Sequence, residues 1–274
     1  MKILSKSYIF IIFALLYAPI VLLIVFSFNE AGSLNEFTGF SGVWYKELFN
    51  DEEAFNALKN SLVLAVSSSL IATVIGTFGA LGLHHMRKKY IKGAVNSVTN
   101  IPMMNPDIVT GVSMMLLFVG VASILKVADI LGMWSMLIAH TTFNLPYVIL
   151  SVLPKFRQMD KSLTEAALDL GCTPAQTFFR VELPFILPGV ISGLMMSFTL
   201  SLDDFVISHF VSSPDFKTLP LYIYNQTAHE VKFSMYALCT LIIFVILFLL
   251  IAVNVAGSAG EKKHRKKNRV KGAR

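Results

Sequence analysis

Two adjacent carboxylates, Asp203 and Asp204, stand inside an apolar stretch that runs from Gly189 to Val211. Counted from Gly189 at about 1.5 Å per helical residue, they lie roughly 21 Å along it, in its outer part. An ionised Asp at the centre of a membrane helix costs about 2.5–3.5 kcal/mol on insertion scales, so it normally faces a cavity, a pathway or a partner charge. Gly193, Ser197, Ser201, Asp204 and Ser208 recur at helical spacing and form one narrow polar stripe. Thr199 and Asp203 share the adjacent face. Such a stripe serves either as one wall of a hydrated cation path or as an interhelical hydrogen-bond seam in which one Asp meets a residue elsewhere. His140 and Asn144 form a second polar pair four residues apart. Pro146 follows them, frees a backbone carbonyl and permits a bend. A satisfied polar seam is the expectation there.

Several chemistries are excluded. No second His, Cys or carboxylate stands at ligand spacing, so no metal site is expected. Neighbouring aspartates on one helix point about 100° apart and cannot share a proton as an acid-protease pair does. The chain has no G-x-x-x-x-G-K-[ST] loop for nucleotide phosphates and no nucleophile–base arrangement. No catalytic residue and no bound cofactor are expected. Cys172 and Cys239 make no disulfide framework and read as packing residues.

A third group of residues is polar and mechanical. Ser162 to Pro184 reads SLTEAALDLGCTPAQTFFRVELP. Ser162 followed by Glu165 is the spacing of a capping box, and Gly171 suits a left-handed helix stop. Thr173, with Pro174 next and Gln176 three residues on, predicts a second capped start. Leu163, Ala166, Ala167 and Leu170 fall on one face of the first helix, and the two alanines keep it flat. The segment is a folded knob on a polar loop, shaped to be gripped by another protein.

Membrane helices must hold these groups in place. Of the 274 residues, 55% are hydrophobic and 15% charged, and the mean hydropathy is +0.66, too apolar for an ordinary soluble domain. Six apolar stretches, Tyr8–Phe28, Ser61–Leu83, Pro106–Leu125, Met133–Leu153, Gly189–Val211 and Ser234–Ala256, are each near the length that crosses hydrocarbon. The fold class is therefore all-α and polytopic, with a membrane domain over 1–260, a knob-bearing loop over 154–188 and a basic tail over 261–274. The first stretch is too long for a signal peptide and lacks a small-residue cleavage site. Gly76 and Ala80, four apart, let two helices touch backbone to backbone. Asp107 neutralises the N-terminus of the third span.

Most of the 23 Lys and Arg residues fall on one side of this topology, in the segments around Lys6, Arg87, Lys155 and Arg265. The positive-inside rule then puts both termini and the knob in the cytoplasm. The basic tail after Glu261 needs no nucleic acid to explain it; anionic lipid is its expected contact, and its composition predicts disorder. The outer loop 29–60 is acidic. It reads as a solvated loop or as a landing surface for a cationic partner, with Trp44 and Tyr45 at the membrane interface.

The knob resembles the cytoplasmic loop signature of ABC importer permeases. Glu165-Ala166-Ala167, three residues, Gly171, nine residues, Val181, one residue and Leu183-Pro184 keep the full spacing, with Val181 in place of the usual Ile. The segments 102–106, 143–147, 199–205 and 219–224 are similar to those of permeases of spermidine/putrescine importers. The resemblance implies a type I ABC importer permease fold in a bacterial plasma membrane. It implies a second permease, two ATPase subunits carrying ATP and Mg, and an extracytoplasmic polyamine-binding protein. Glu165, Ala166, Ala167, Gly171, Leu183 and Pro184 would form the ATPase-coupling element. Asp203, Asp204, Ser197, Ser201 and Ser208 suit a path for a polycation. The loop signature alone fits permeases for ferric iron or an organic ion equally. A proton-coupled carrier using Asp203 or Asp204 would leave the knob without a purpose.

Overall fold

In hydrocarbon every backbone amide must find its partner within the segment, so long apolar runs fold as helices. The computed structural model describes residues 2–33, 36–86, 88–127, 130–228, 232–247 and 251. The order is α1 (Lys2–Phe26), α2 (Val43–Asn50), α3 (Glu52–His85), α4 (Lys89–Met104), α5 (Asp107–Leu125), α6 (Met133–Gln158) and α7 (Lys161–Asp169). Then α8 (Pro174–Thr177) passes through a π turn (Phe178–Glu182) into α9 (Leu183–Asp203), followed by α10 (Val206–Val211) and α11 (Leu219–Thr227). An apolar helix, α12 (Phe233–Leu247), closes the described part. Among the described residues, extended pairing is limited to two isolated bridges, Asn29 with Phe40 and Ser213 with Phe216.

Among the described residues, five helical segments are long and apolar enough to span: Lys6–Phe26, Glu52–His85, Asp107–Leu125, Met133–Gln158 and Pro174–Asp203. The end of the sixth stretch, apart from Ile251, lies outside the described residues, as do Arg87 and the basic tail. Within α3, Asp51 Oδ1 accepts from the Ala54 N–H at 3.0 Å, Glu52 and Glu53 sit in the first turn, and His84 and His85 in the last. That charge order complements the helix dipole. Asp107 lies in the first turn of α5, where it does the same.

The chain forms two compact units, residues 1–55 with 223–274, and residues 56–222. In the first, the loop after α1 is knotted around buried Asn29. Its Nδ2 donates to the Ser33 and Glu36 carbonyls at 2.7 Å each, and its Oδ1 accepts from the Thr38 N–H at 3.2 Å. The Trp44 indole donates to the Asn29 carbonyl at 2.6 Å, and the Tyr45 hydroxyl lies 2.9 Å from Ser27 Oγ. Both aromatic polar ends are thus used inside the loop, which gives them a folding role that the sequence pattern did not indicate.

The second unit is built on α3, α6 and α9. They stack in levels four residues apart. Ser68, His140 and Ser201 share one level through hydrogen bonds. Two turns along, toward the knob, Gly76 and Gly193 both face Val148: a Cβ at Gly76 would stand 2.7 Å from its Cγ1, and one at Gly193 would stand 3.2 Å from its Cα. One more turn brings Gly189 against Val152 and the Ser151 carbonyl, which a Cβ would meet at 2.8 Å. The close approach expected of Gly76 and Ala80 is realised on α6. Lipid tails are as apolar as leucine, so dispersion at such contacts, rather than exclusion of water, holds the helices together. Fully buried Ala72, Ala80, Val148, Val152, Phe156 and Ile186 fill the inner half of this core.

The Gly189–Val211 stretch is not one helix, contrary to the expectation from periodicity. Asp204 leaves the helical region with ψ 118, and α10 restarts beyond it. The cause is local: the Asp204 carboxylate takes the freed amides, accepting from the Ile207 N–H at 3.3 Å and the Ser208 N–H at 2.8 Å.

Candidate functional site

The knob is held by three caps. Asp160, not Ser162, starts α7: its Oδ1 accepts from the Ser162 N–H at 3.0 Å. That bond holds the Asp160 carboxyl below its ordinary value. The expected Ser162–Glu165 box is therefore absent, because a charged acceptor two residues earlier takes the amide and draws Ser162 into the helix. Gly171 ends α7 at φ +84. Its N–H donates to the Leu168 carbonyl at 2.9 Å, and the Cys172 N–H donates to the Ala167 carbonyl at 3.1 Å, the paired bonds of a Schellman stop. Thr173 and Gln176 form the predicted reciprocal box, at 3.0 and 3.3 Å, with Pro174 at the first helical position.

These caps are made within the segment, so the knob keeps its shape whatever it touches. Ala167 is buried, whereas Glu165, Ala166, Leu163, Leu168 and Leu170 are exposed, Leu170 by 86%. A short helix thus presents a carboxylate, an alanine and three leucines outward. Leu183 and Pro184 open α9, with Leu183 packed on the inner core and Pro184 exposed. From Pro174 to Asp203 the helical path is continuous over 30 residues, so the second cap of the knob is the first turn of a membrane helix.

The polar stripe meets at a second centre. His140 Nδ1 lies 2.8 Å from Ser201 Oγ, and Ser201 Oγ lies 3.0 Å from Ser68 Oγ. His140 Nε2 lies 3.3 Å from Ser208 Oγ and 3.5 Å from Asp204 Oδ2. The imidazole is 1% and the carboxylate 8% exposed, so the contact is sheltered from water. The helix break preserves the stripe, since Ser201, Asp204 and Ser208 all turn to the same histidine. Ser197 and Asn144 are also buried, and among the described residues neither side chain has a hydrogen-bond partner. The seam expected at His140 is satisfied there and left open one turn away. Asp203 points out of this cluster and is exposed.

Sequence reasoning missed Glu182, Ser68 and His85. Glu182 is 3% exposed at the end of the π turn, and a carboxylate between Val181 and Leu183 in an apolar run was the available signal. Among the described residues no group of three or more His, Cys, Asp or Glu is placed to hold a metal ion, and Cys172 and Cys239 are free.

Residues 72–257 match the family described as binding-protein-dependent transport system inner membrane component. The chain is 37% identical over 231 residues to the putrescine transport system permease protein PotI of Escherichia coli strain K12, covering 84% of this chain and 82% of that one. It is 38% identical over 248 residues to the spermidine/putrescine transport system permease protein PotC of Haemophilus influenzae, covering 90% and 94%. Among solved structures, a bacterial ABC transporter involved in the import of the acidic polysaccharide alginate matches with TM-score 0.77 at 17% identity, over 94% of this chain and 95% of that chain. The MetNI methionine ABC transporter matches with TM-score 0.59 at 20% identity, over 74% and 91%. At these identities the two structures speak for the fold alone.

Proposed function

The chain belongs to the binding-protein-dependent transport system inner membrane components, and from that premise we propose that it is the membrane-spanning permease subunit of an ATP-driven polyamine importer. It is a multi-pass membrane protein with the type I ABC importer permease fold. The observation that carries the proposal is the knob: the ABC loop signature folds as a self-capped helix continuous with a membrane span, in a chain similar over most of its length to two polyamine permeases. A carrier coupled to protons has no use for such a knob. The sequence similarity to polyamine permeases also favours this cargo over ferric iron or another organic ion.

The chain forms half of the translocation path, and a second permease of similar fold forms the other half. Two ATPase subunits bind ATP and Mg on the cytoplasmic side, and a binding protein delivers polyamine from outside. Both termini and the knob are cytoplasmic. Glu165, Ala166, Ala167 and Gly171, with Leu183 and Pro184 behind them, couple to the ATPase. Differential docking of the knob in two ATPase states biases the bundle between its inward and outward openings. Asp203, on the face beside the stripe, is the exposed acidic group available to a passing polycation. Asp204, Ser201 and Ser208 hold the helix break that presents it, and Ser197 continues the stripe inward. Asp203 attracts the cation without enclosing it, which suits passage rather than retention.

The test is Glu165→Lys in the complete transporter. Uptake of labelled polyamine falls about tenfold while the chain still inserts and ATP hydrolysis persists, a change within the ordinary range of coupling free energies. Normal coupled uptake in that variant removes the docking role.

A further inference from the structure

Glu182 has 4% of its side chain exposed and lies where α8 passes through the π turn into α9. Three parts of the second unit meet on it. Thr164 Oγ1, on α7, donates to Glu182 Oε1 at 3.3 Å. His85 Nε2, on the last residue of α3, stands 3.7 Å from the same oxygen. The other ring nitrogen of His85 lies 3.2 Å from the Leu81 carbonyl, which fixes the orientation of the imidazole. Aromatic rings surround the inner end of the bundle here, with Phe178 against Phe78 and His84 stacked on Phe156, at centroid distances of 5.7 and 5.2 Å.

A buried carboxylate is poor evidence for stability, because well-packed apolar side chains usually do as well. The caps of the knob are made by Asp160, Thr173 and Gln176 and do not use this carboxylate. What it does is tie the knob to two membrane helices through one oxygen atom. It does so at a π turn, a geometry found mostly at functional positions and able to yield locally without breaking the helix. We infer that Glu182 is a positioning residue for energy coupling, the joint through which displacement of α7 reaches α3 and α9. The inference rests on the reading of the knob as the ATPase-docking element. Without the joint the knob still folds and still docks, but its movement is not delivered to the spans.

The experiment uses the complete transporter in proteoliposomes and reads ATP hydrolysed per labelled spermidine imported. Thr164→Val removes the hydroxyl at nearly constant volume and raises this ratio about fivefold, within the range that substitutions on a coupling route produce. Thr164→Ser keeps the donor and stays close to the unsubstituted ratio. Glu182→Leu raises the ratio, and adding Thr164→Val to it brings no further rise, because the same bond is already gone. Loss of assembled transporter, which a merely structural role would cause, lowers both rates together and leaves the ratio unmoved. An unchanged ratio in Thr164→Val, an equal rise in Thr164→Ser, or multiplying effects in the double variant overturns the inference. Should Glu182→Leu fail to assemble, the Thr164→Val and Thr164→Ser pair decides alone. Glu165→Lys run alongside separates two failures: if it raises the ratio and Thr164→Val does not, only the joint falls. If neither does, the docking role falls with it.

Discussion

The second unit holds two carboxylate–histidine contacts, and they are built on opposite plans. At the helix break both partners are enclosed, His140 at 1% and Asp204 at 8% exposure, and Asp204 also caps the helix that follows it. At the inner end, Glu182 is enclosed while His85 is 53% exposed, and the carboxylate caps nothing. The first pair satisfies the backbone of its own chain segment and locks three helices at one level. The second reaches across elements and leaves the backbone to the caps of the knob. One contact is anchored on a helix start; the other joins separate elements.

Substitution should separate them most sharply at Asp204. Asp204→Ala removes a helix cap, leaves two amides without their acceptor and takes the carboxylate from beside His140, at a cost of about 3 kcal/mol. Thermal unfolding in detergent should show the loss, together with reduced yield of folded protein. Glu182→Leu should shift the same transition far less. Equal losses would erase the distinction between the two contacts.

Between the pairs lies the glycine ladder, and its close contacts give the next effect. Gly189→Ala forces a Cβ to within 2.8 Å of the Ser151 carbonyl, so α6 and α9 must part, costing about 1–3 kcal/mol. Unfolding measurements on Gly189→Ala should fall between the two carboxylate variants. A neutral result would mean that the ladder is slack.

Smaller effects belong to the knob. Gly171→Ala, at φ +84 with open space around its Cβ, meets only the backbone penalty of about 1 kcal/mol. It should speed hydrogen exchange in α7 and leave exchange at the His140 level unchanged. The smallest effect is that of pH on Asp160. Its carboxyl titrates lower in the folded knob than in the open one, since the charged form holds the Ser162 amide. The cap is complete above the ordinary carboxylate value and is lost as pH falls through the depressed one. Exchange in the first turn of α7 should rise in that acid window, and Asp160→Asn should flatten the dependence.

How much could be read beforehand follows from how local each cause is. The five long apolar helices, the knob and the Thr173 box depend on contiguous residues and were legible. The Gly171 stop was legible because one positive φ demands glycine. The Asp160 start was not, since Asp160 and Ser162 both suit a cap and only the competition for one amide decides. The helix break at Asp204 escaped periodicity because the stripe keeps its spacing through the break, so the pattern of polar residues looks unbroken. Glu182 left a local signal, but its partners were not legible: they are 18 residues away on α7 and far earlier in the chain on α3, and only packing joins them. Trp44 and Tyr45 show the same limit, since their composition suits a membrane interface while their polar atoms serve the loop knot around Asn29 and Ser27.

The unbroken run from Pro174 to Asp203 covers 30 residues, about 45 Å of stiff rod. Pivoted at its loop end, such a rod swings its far tip by about 8 Å for a tilt of roughly ten degrees, on the same rise per residue. Asp203 rides on that tip, and the hydrogen-bonded latch at His140 grips the chain immediately beside it. A tilt at the loop end is thus largest at the spot where the exposed Asp203 side chain stands, next to the hydrogen-bonded cluster at His140.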